Sequence, residues 1–268
     1  MSAVRGVSYA FPAMQSLSVV VIAYNEEANL GRTLDSVREL VEDSKGEIVL
    51  GDCGSTDRTV KIAQRYGAKI FLEVWQGYAA QKNAAIEHAK RDWVLSLDAD
   101  ESLEPGLIKE IREILEHPSD ADGYWVPRKN FFMGRYVRHG GYYPDRKLRL
   151  FRRGKGKFGD RAVHETLRVA GKTKELKYAL IHNSHPTLEG YIADMNRYSS
   201  LGAEEAGKRG FSLFNIVVRP WMTFIYNYFL RFGFLDGREG FLLHLYHSVY
   251  VSWKYAKAWE HSRAARRR

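Results

Sequence analysis

Two carboxylates separated by one residue, Asp98-Ala99-Asp100, follow the apolar run Trp93-Val94-Leu95-Ser96-Leu97. Such a pair can hold a divalent ion against a diphosphate, whose departure from a transferred group builds negative charge that must be neutralised. After an apolar run the pair falls at the carboxyl end of a strand, the edge where open α/β sheets bind ligands. If the strand continues, the two side chains point the same way; if a turn begins, they diverge. Alone the triplet is a weak sign, because Asp-x-Asp also marks ordinary polar turns.

Two further segments have the same setting. Gly51-Asp52-Cys53-Gly54-Ser55-Thr56-Asp57 follows a short apolar run and offers a carboxylate beside glycines, so that backbone can approach a flat base or ribose while Asp52 accepts from its N–H or O–H groups. Asp57 in that segment suits a helix cap. Ala23-Tyr24-Asn25-Glu26-Glu27 follows the first apolar run. Three strand ends thus carry side chains suited to a nucleotide.

The elements that must position them alternate in type from Leu17 to Leu115, as βαβ units with a parallel sheet do. Leu17 to Ala23 is apolar on both faces and predicts a central strand. Leu30, Leu34, Val37, Leu40 and Val41 recur at helical spacing. Ile48 to Leu50, Ile70 to Val74 and Trp93 to Leu97 predict three more strands. Helices are predicted around Val60 to Tyr66, over Ala79 to Lys90, and over Leu107 to Glu116 behind Pro105. After His117-Pro118 the pattern turns to short aromatic and basic segments rich in glycine, typical of loops and antiparallel strands that complete an acceptor pocket.

The formal charge of +9 is mostly C-terminal, in Arg128 to Arg161 and in Arg263, Arg266, Arg267 and Arg268. It fits nucleic acid, an anionic membrane or phosphorylated substrates alike. The single cysteine, Cys53, excludes an internal disulfide framework and any multi-cysteine metal site. With no apolar signal segment at the N-terminus, a cytoplasmic location is expected. From about Phe211 to Trp259 the chain carries 15 aromatic residues and few carboxylates. Asn215, Arg219, Pro220 and Asn227 interrupt the run from Phe211 to Leu230, which argues against a clean transmembrane helix. Aromatics interleaved with Arg231, Arg238, Lys254 and Lys257 suit helices in a membrane interface; packing on the core or on a second subunit is the alternative.

IAYNEEANL, GDCGSTDRT, QGYAAQKNAAIEHA and WVLSLDADE, in that order, resemble the donor domain of family 2 inverting glycosyltransferases. GYYPDRKLRLFRR, AVHETL, IHNSHPTLEGYIADMNRYS and GFLDGREGF resemble the lipopolysaccharide-core β-1,4-glucosyltransferase subgroup. The resemblance covers Leu17 to about Glu260. It implies a GT-A fold: a Rossmann-like, mostly parallel sheet flanked by helices, with a C-terminal aromatic-rich helical extension. The expected divisions are an N-terminal extension over 1–16, a catalytic domain over 17–210 with a donor half 17–117 and an acceptor half 118–210, and an extension over 211–268 for the membrane interface or oligomerisation.

Carried over by position, the resemblance implies that Ala23, Tyr24, Glu26 and Asp52 line a uridine pocket and that Gln81 and Lys82 lie near the uracil or diphosphate. Asp98 would contact the ribose and metal side, with Ala99 in the same pocket, and Asp100 would ligate Mn2+ or Mg2+ directly. His182 is a candidate to complete the metal shell, with His185 behind it. For Lys82 the competing account is a solvated helix lysine. An inverting transfer needs one carboxylate to take the acceptor hydroxyl's proton. Glu165 in Val163-His164-Glu165 is the expected base; Asp145 and Asp160 are rivals, and a structural ion pair of Glu165 with Arg161 or Arg168 is the bland alternative. Arg146, Arg149, Arg152 and Arg153 form a basic segment that can clamp phosphates or stand solvated.

The expectation is therefore a metal-dependent transferase that moves a hexose, with glucose implied by the resemblance, from a UDP-sugar to a lipopolysaccharide-core or lipid-linked acceptor at the cytoplasmic face of the inner membrane. No nucleic-acid partner is expected, and a homo-oligomer is the alternative use of the aromatic third. The competing accounts are a glycosyltransferase of another cell-surface polysaccharide and, in a different class, a non-enzymatic basic module that binds membrane or nucleic acid. A nucleotidyltransferase would want a glycine-rich phosphate loop near the first strand, where AYNEE supplies none.

Overall fold

The computed structural model describes residues 14–117, 119–159, 166–207 and 212–266. In the first half β1 (Leu17–Ala23), α1 (Leu30–Asp43), β2 (Glu47–Asp52), α2 (Thr59–Arg65), β3 (Lys69–Leu72), α3 (Tyr78–Glu87), β4 (Trp93–Asp98), β5 (Glu101–Leu103) and α4 (Pro105–Glu116) follow one another. β1 is buried at every position but Ile22 because β2 and β4 pair with it on both edges and helices cover both faces. The apolar stripe Leu30, Leu34, Val37 and Leu40 of α1 and the stripe Leu107, Ile111 and Leu115 of α4 bury against one face of the sheet. The opposite face packs on Ala79 and Ala85 of α3.

The second half adds β6 (Gly123–Val126), β7 (Arg128–Phe132), β8 (Arg135–Val137), β9 (Lys147–Arg152), β10 (Gly156–Phe158), β11 (Leu167–Val169), β12 (Thr173–Glu175) and β13 (Leu180–His185). The main sheet has the order β12-β6-β9-β4-β1-β2-β3. Within it β3, β2, β1 and β4 run parallel, and β9 lies antiparallel between β4 and β6. Three strands from beyond residue 118 thus extend the sheet of the donor half. A four-stranded sheet, β5-β13-β7-β8, stands beside it, and β10 pairs with β11.

β3 stops at Leu72, short of the expected Val74. Among the described residues it pairs only with β2, and both Leu72 and Val74 are exposed at this sheet edge.

The chain steps from β1 outward to β2 and β3, then returns to place β4 on the other side of β1. Such a reversal opens a crevice at the carboxyl ends of the two strands. Here Ile22 stands beside Asp98 and Ala23 beside Asp52, which brings the three sequence segments to one edge.

The helical part comprises α5 (Leu188–Gly207), α6 (Arg219–Ile225) and α7 (Gly237–Arg266). It begins with α5, earlier than the expected 211, since α5 packs along α7. π-helical turns over Phe214–Val218 and Tyr226–Leu230 flank α6, so the backbone is helical from 214 to 230. Among the described residues no helix is long and apolar enough to cross a membrane. Phe132 and Val137 of the second sheet pack with Tyr191 of α5 and Leu243 of α7, tying the helical part to the rest.

Candidate active site

The strand ends at Asp98 and a turn begins, so the two carboxylates of the triplet take different partners. The turn is held from three sides. The Asp98 amide donates to Glu101 Oε2 at 3.1 Å, Thr33 Oγ1 of α1 donates to the Ala99 carbonyl at 2.6 Å, and the Asn183 amide of β13 donates to the Asp100 carbonyl at 3.3 Å. Its geometry is therefore set before any ligand arrives.

Asp98 faces cations: Lys82 Nζ lies 2.7 Å from its Oδ1 and Arg149 Nη2 2.5 Å from its Oδ2. Arg149 Nη2 also reaches Glu101 Oε1 at 2.7 Å, and Arg128 Nη1 meets the same oxygen at 2.9 Å. Arg128 then forks onto Asp145 Oδ2 through Nε at 2.9 Å and Nη2 at 2.6 Å, and Lys147 lies 3.0 Å from Oδ1. Glu101 is fully buried, and Lys82 and Arg149 nearly so. Charges removed from water persist only when paired in this way. Burial pushes the Asp98 carboxyl up, but Arg149, Lys82 and Arg128 together outweigh it and hold the group well below the ordinary carboxylate range.

Asp100 points elsewhere, with Oδ2 at 3.2 Å from His182 Nε2. Burial opposes its ionisation, yet His182 holds its carboxyl below the usual value. The other ring nitrogen of His182, Nδ1, lies 2.7 Å from Asn130 Oδ1, while Asn130 Nδ2 donates to the Tyr142 carbonyl at 3.0 Å. The amide is thereby oriented so that Nδ1–H donates and Nε2 is turned toward Asp100, the way a ligating imidazole is held by a supporting acceptor. Among the described residues no group of three or more His, Cys, Asp or Glu stands together as a complete metal shell. The Asp100–His182 pair fits an ion that takes its remaining ligands from phosphate oxygens and water.

Asp52 is fully buried and its carboxylate organises its own loop: Oδ2 accepts from the Gly54 and Ser55 amides at 2.9 Å each, and Oδ1 accepts from Ser55 Oγ at 2.5 Å. That loop is latched to the one after β1, since Asn25 Oδ1 accepts from the Thr56 amide at 2.8 Å and the Asn25 amide donates to Ser55 Oγ at 2.9 Å. Asn25 adopts φ 54°, a left-handed conformation that asparagine tolerates. The latch leaves Tyr24 more than half exposed beside Ala23. Asp57 caps the start of α2 through the Thr59 amide and also accepts from the Glu27 amide. Burial, above all, raises the Glu26 carboxyl over its ordinary range; Asp100 and Asp194 add to this, and a hydrogen bond from Asn29 offsets part of it. Gln81 is buried on α3 with Nε2 lacking any hydrogen-bond partner among the described residues, a spare donor at the edge where a nucleotide would lie.

Several expectations change. Lys82 is no solvated helix lysine, since it is buried against Asp98 with the Phe158 ring 5.2 Å away. The four arginines do not form a clamp. Arg149 lies inside the ion network, and Arg146 pairs with Glu175 at 2.9 Å. Arg152 lies over the Trp93 ring at 4.6 Å, and Arg153 Nε donates to the Arg91 carbonyl. Asp145 is a poor proton acceptor at neutral pH, because Arg128 and Lys147 outweigh its burial and hold it down to about 2. Glu165, Asp160 and Arg161 lie outside the described residues. His185 pairs instead with Asp194 on α5, at 3.6 Å, while remaining within electrostatic reach of His182 and Asp100. Sequence reasoning gave no site role to Glu101, Arg128 or Asn130; only the position of Glu101 directly after the triplet pointed toward it.

Three strand ends meeting at a switch point, with a fixed carboxylate turn between cations and an imidazole, define a site for a phosphorylated donor. The chain belongs to glycosyl transferase family 2, whose sequence profile matches residues 18–172. It is a glycosyltransferase, and its fold is of the GT-A type. It is 32% identical over 259 residues to the lipopolysaccharide core biosynthesis glycosyltransferase LpsC of Rhizobium meliloti (strain 1021), covering 91% of this chain and 92% of that protein. To an uncharacterized glycosyltransferase of Rickettsia felis it is 30% identical over 242 residues, 85% of this chain and 84% of the other. The mannosyltransferase PcManGT from Pyrobaculum calidifontis, solved in complex with GDP-Man and Mn2+, superposes with a TM-score of 0.53 at 14% identity over 94% of this chain and 91% of that one, a likeness of fold.

Proposed function

We propose that this glycosyltransferase moves a hexose, glucose in the first instance, from a UDP-sugar to a lipopolysaccharide-core or other lipid-linked saccharide, with inversion at the anomeric carbon and at the cytoplasmic face of the inner membrane. The observation that carries the donor half is the Asp100–His182 pair, set beside a partly buried Asp98 held as an anion by Lys82 and Arg149 at the switch point of the sheet. The whole-length similarity to LpsC supports the acceptor class. The Mn2+ and GDP-Man of the Pyrobaculum enzyme support a divalent ion with a nucleotide-sugar.

In this reading Asp100 and His182 would hold Mn2+ or Mg2+, which would supply positive charge against the departing diphosphate. Asp52 keeps the base-binding loop in shape, Tyr24 offers an exposed ring to the base, and Gln81 offers its unused donor. Lys82 and Arg149 hold Asp98 in one place as an anion, so the turn need not reorganise as the sugar–phosphate bond breaks. The acceptor hydroxyl attacks the anomeric carbon opposite that bond and gives its proton to a carboxylate, for which Glu165 is the candidate.

A screen of nucleotide release across UDP- and GDP-sugars, with and without Mn2+ or Mg2+, tests this. The expected result is metal-dependent UDP release, stimulated by a core-oligosaccharide acceptor. Equal release in the presence of a chelator would remove the metal assignment, and normal transfer by Glu165→Gln would remove the base.

A further inference from the structure

The helical segment from 213 to 235 presents two unlike faces. Its inner side packs: Phe224 stacks on Tyr228 with ring centroids 5.1 Å apart, and both meet Phe241 of α7 edge-on, at 5.9 Å and 5.7 Å. Its outer side is exposed and almost wholly apolar. Phe214, Val218, Trp221, Ile225 and Phe229 recur at spacings of four, three, four and four, which lines them along one side of a helix. Trp221 is 64% exposed and Leu230 66%. This is far more than the scattered exposed apolar residues of an ordinary surface.

The charge on this surface has one sign. The exposed charged residues between 213 and 241 are Arg219, Arg231 and Arg238. The carboxylates of that stretch are turned away: Asp236 is buried and accepts from the Arg138 and His139 amides, and Glu239 lies near Arg135. Tyr255 and Tyr226 rings underlie the Arg219 and Arg231 guanidiniums at 5.3 Å and 5.8 Å. Large apolar side chains bounded by aromatic rings and cations, without an exposed carboxylate, match the boundary between acyl chains and anionic headgroups. A second copy of the same face would bring three more arginines and no exposed carboxylate from this stretch to pair with them.

We propose that this outer face lies in the plane of an anionic phospholipid bilayer, as an interfacial anchor and not a span. The proposal deepens the lipid-linked acceptor reading above and rests on it only for its purpose. The segment 138–145 joins the anchor to the site. At one end the Gly140 amide donates to the Arg231 carbonyl at 2.8 Å and Asp236 binds the Arg138 and His139 amides; at the other the Tyr142 carbonyl accepts from Asn130, which orients His182, and Asp145 pairs with Arg128. Docking therefore fixes the height of the site above the membrane, so that a saccharide on a lipid is met at a set distance.

The test is flotation of the full-length protein with phosphatidylethanolamine vesicles containing about 30% phosphatidylglycerol, with no donor or acceptor present. The wild type is expected to float and the Trp221→Ser/Ile225→Ser/Phe229→Ser variant to bind at least about tenfold more weakly, with its metal-dependent nucleotide release unchanged. Asp100→Ala is expected to lose nucleotide release and still float, which separates failure of the donor site from failure of the anchor. Should the triple variant not fold, quenching of wild-type tryptophan fluorescence by brominated phospholipid, diminished in Trp221→Phe, reads the same contact. A wild type that stays unbound, or a folded triple variant that floats as well as the wild type, overturns the proposal. So does a dimer seen by light scattering that the triple variant dissociates in a protein with no affinity for vesicles.

Discussion

The site and the helical face invert the usual distribution of side chains in opposite ways. Around the carboxylate turn, charges lie buried: Lys82, Arg149 and Glu101 are almost inaccessible to water. Along 213–235 the large apolar groups face outward. Folding alone favours neither arrangement, since buried ions lose hydration and exposed apolar surface keeps the cost of water contact. Each therefore marks a place where something other than stability shaped the chain: in the proposed function a fixed field for a charged donor, and in the proposed anchor a surface that meets an apolar phase.

The largest effect should come from removing the group that separates the metal side of the site from its structural side. Asp100→Ala is expected to lower metal-dependent nucleotide release roughly 10²- to 10³-fold, because in the proposed function it removes a ligand to the ion that offsets leaving-group charge. Thermal stability should hardly move, since among the described residues Asp100 has a single ion-pair partner and that partner is also tied to Asn130. Circular dichroism beside a release assay checks this, and a variant retaining near-normal metal-dependent release would move the ion elsewhere.

The opposite balance is expected at Glu101, which supports the site from beneath. Its Oε1 pairs with both Arg128 and Arg149. Glu101→Leu leaves two guanidiniums buried with one fewer carboxylate and should destabilise the fold by about 3–5 kcal/mol. Glu101→Gln keeps the shape and a carbonyl acceptor and should cost less. Denaturant unfolding of the two variants gives the comparison, and equal midpoints would mean that charge at this position is immaterial.

How far the sequence carried depends on the range over which each signal acts. β1 and β4 were legible because a strand covered on both faces must be apolar throughout, and Asp98 and Asp100 because a ligand edge follows directly from where such a strand stops. The partners of Asp98 were not legible. Arg149 sits in a basic stretch that suggested a phosphate clamp, and nothing local shows that β9 inserts beside β4 and turns that arginine inward. The same holds for Arg128 and Asn130, whose roles depend on β7 pairing with β13. In the aromatic third, composition showed both packing and exposure to be available. Only the helix from 214 to 230 separated them, with Phe224 and Tyr228 inward and Trp221 and Phe229 outward.

Beneath the apolar face lies a buried titratable group whose charge the fold does not accommodate. His244 of α7 is nearly inaccessible, both ring nitrogens lack partners among the described residues, and the backbones of Gly140 and Gly233 pack against it. Burial, foremost, depresses its pKa to about 4; Arg231 adds to this and Asp236 opposes it. The unfolded chain takes up this proton below about 6.5, and the folded chain does not until about 4. Between those values the unfolded state binds more protons, so stability should fall as pH falls through the window and be whole above it. His185, also depressed by burial, contributes with the same sign. The measurement is the difference in unfolding midpoint against pH between wild type and His244→Phe, which should flatten the slope there; parallel profiles would show that His244 is not the group responsible.

The smallest effect separates neutral support from charged support. Thr33 Oγ1 donates to the Ala99 carbonyl from a fully buried position, so it holds the carboxylate turn without bringing a charge into the interior. Thr33→Val keeps the branched shape and removes one neutral hydrogen bond, which should cost about 1 kcal/mol. Lost stability should thus be several-fold less than for Glu101→Leu. The Asp98 amide remains tied to Glu101 and the Asp100 carbonyl to Asn183, so the turn keeps two of its three holds. What should change is the precision with which Asp100 meets His182. KM for the metal is therefore expected to rise while the vesicle affinity of the distant helical face stays constant. If Thr33→Val instead weakens membrane binding and leaves KM for the metal unchanged, the two regions do not act separately, and the contrast drawn between buried charge and exposed apolar surface fails as an account of their roles.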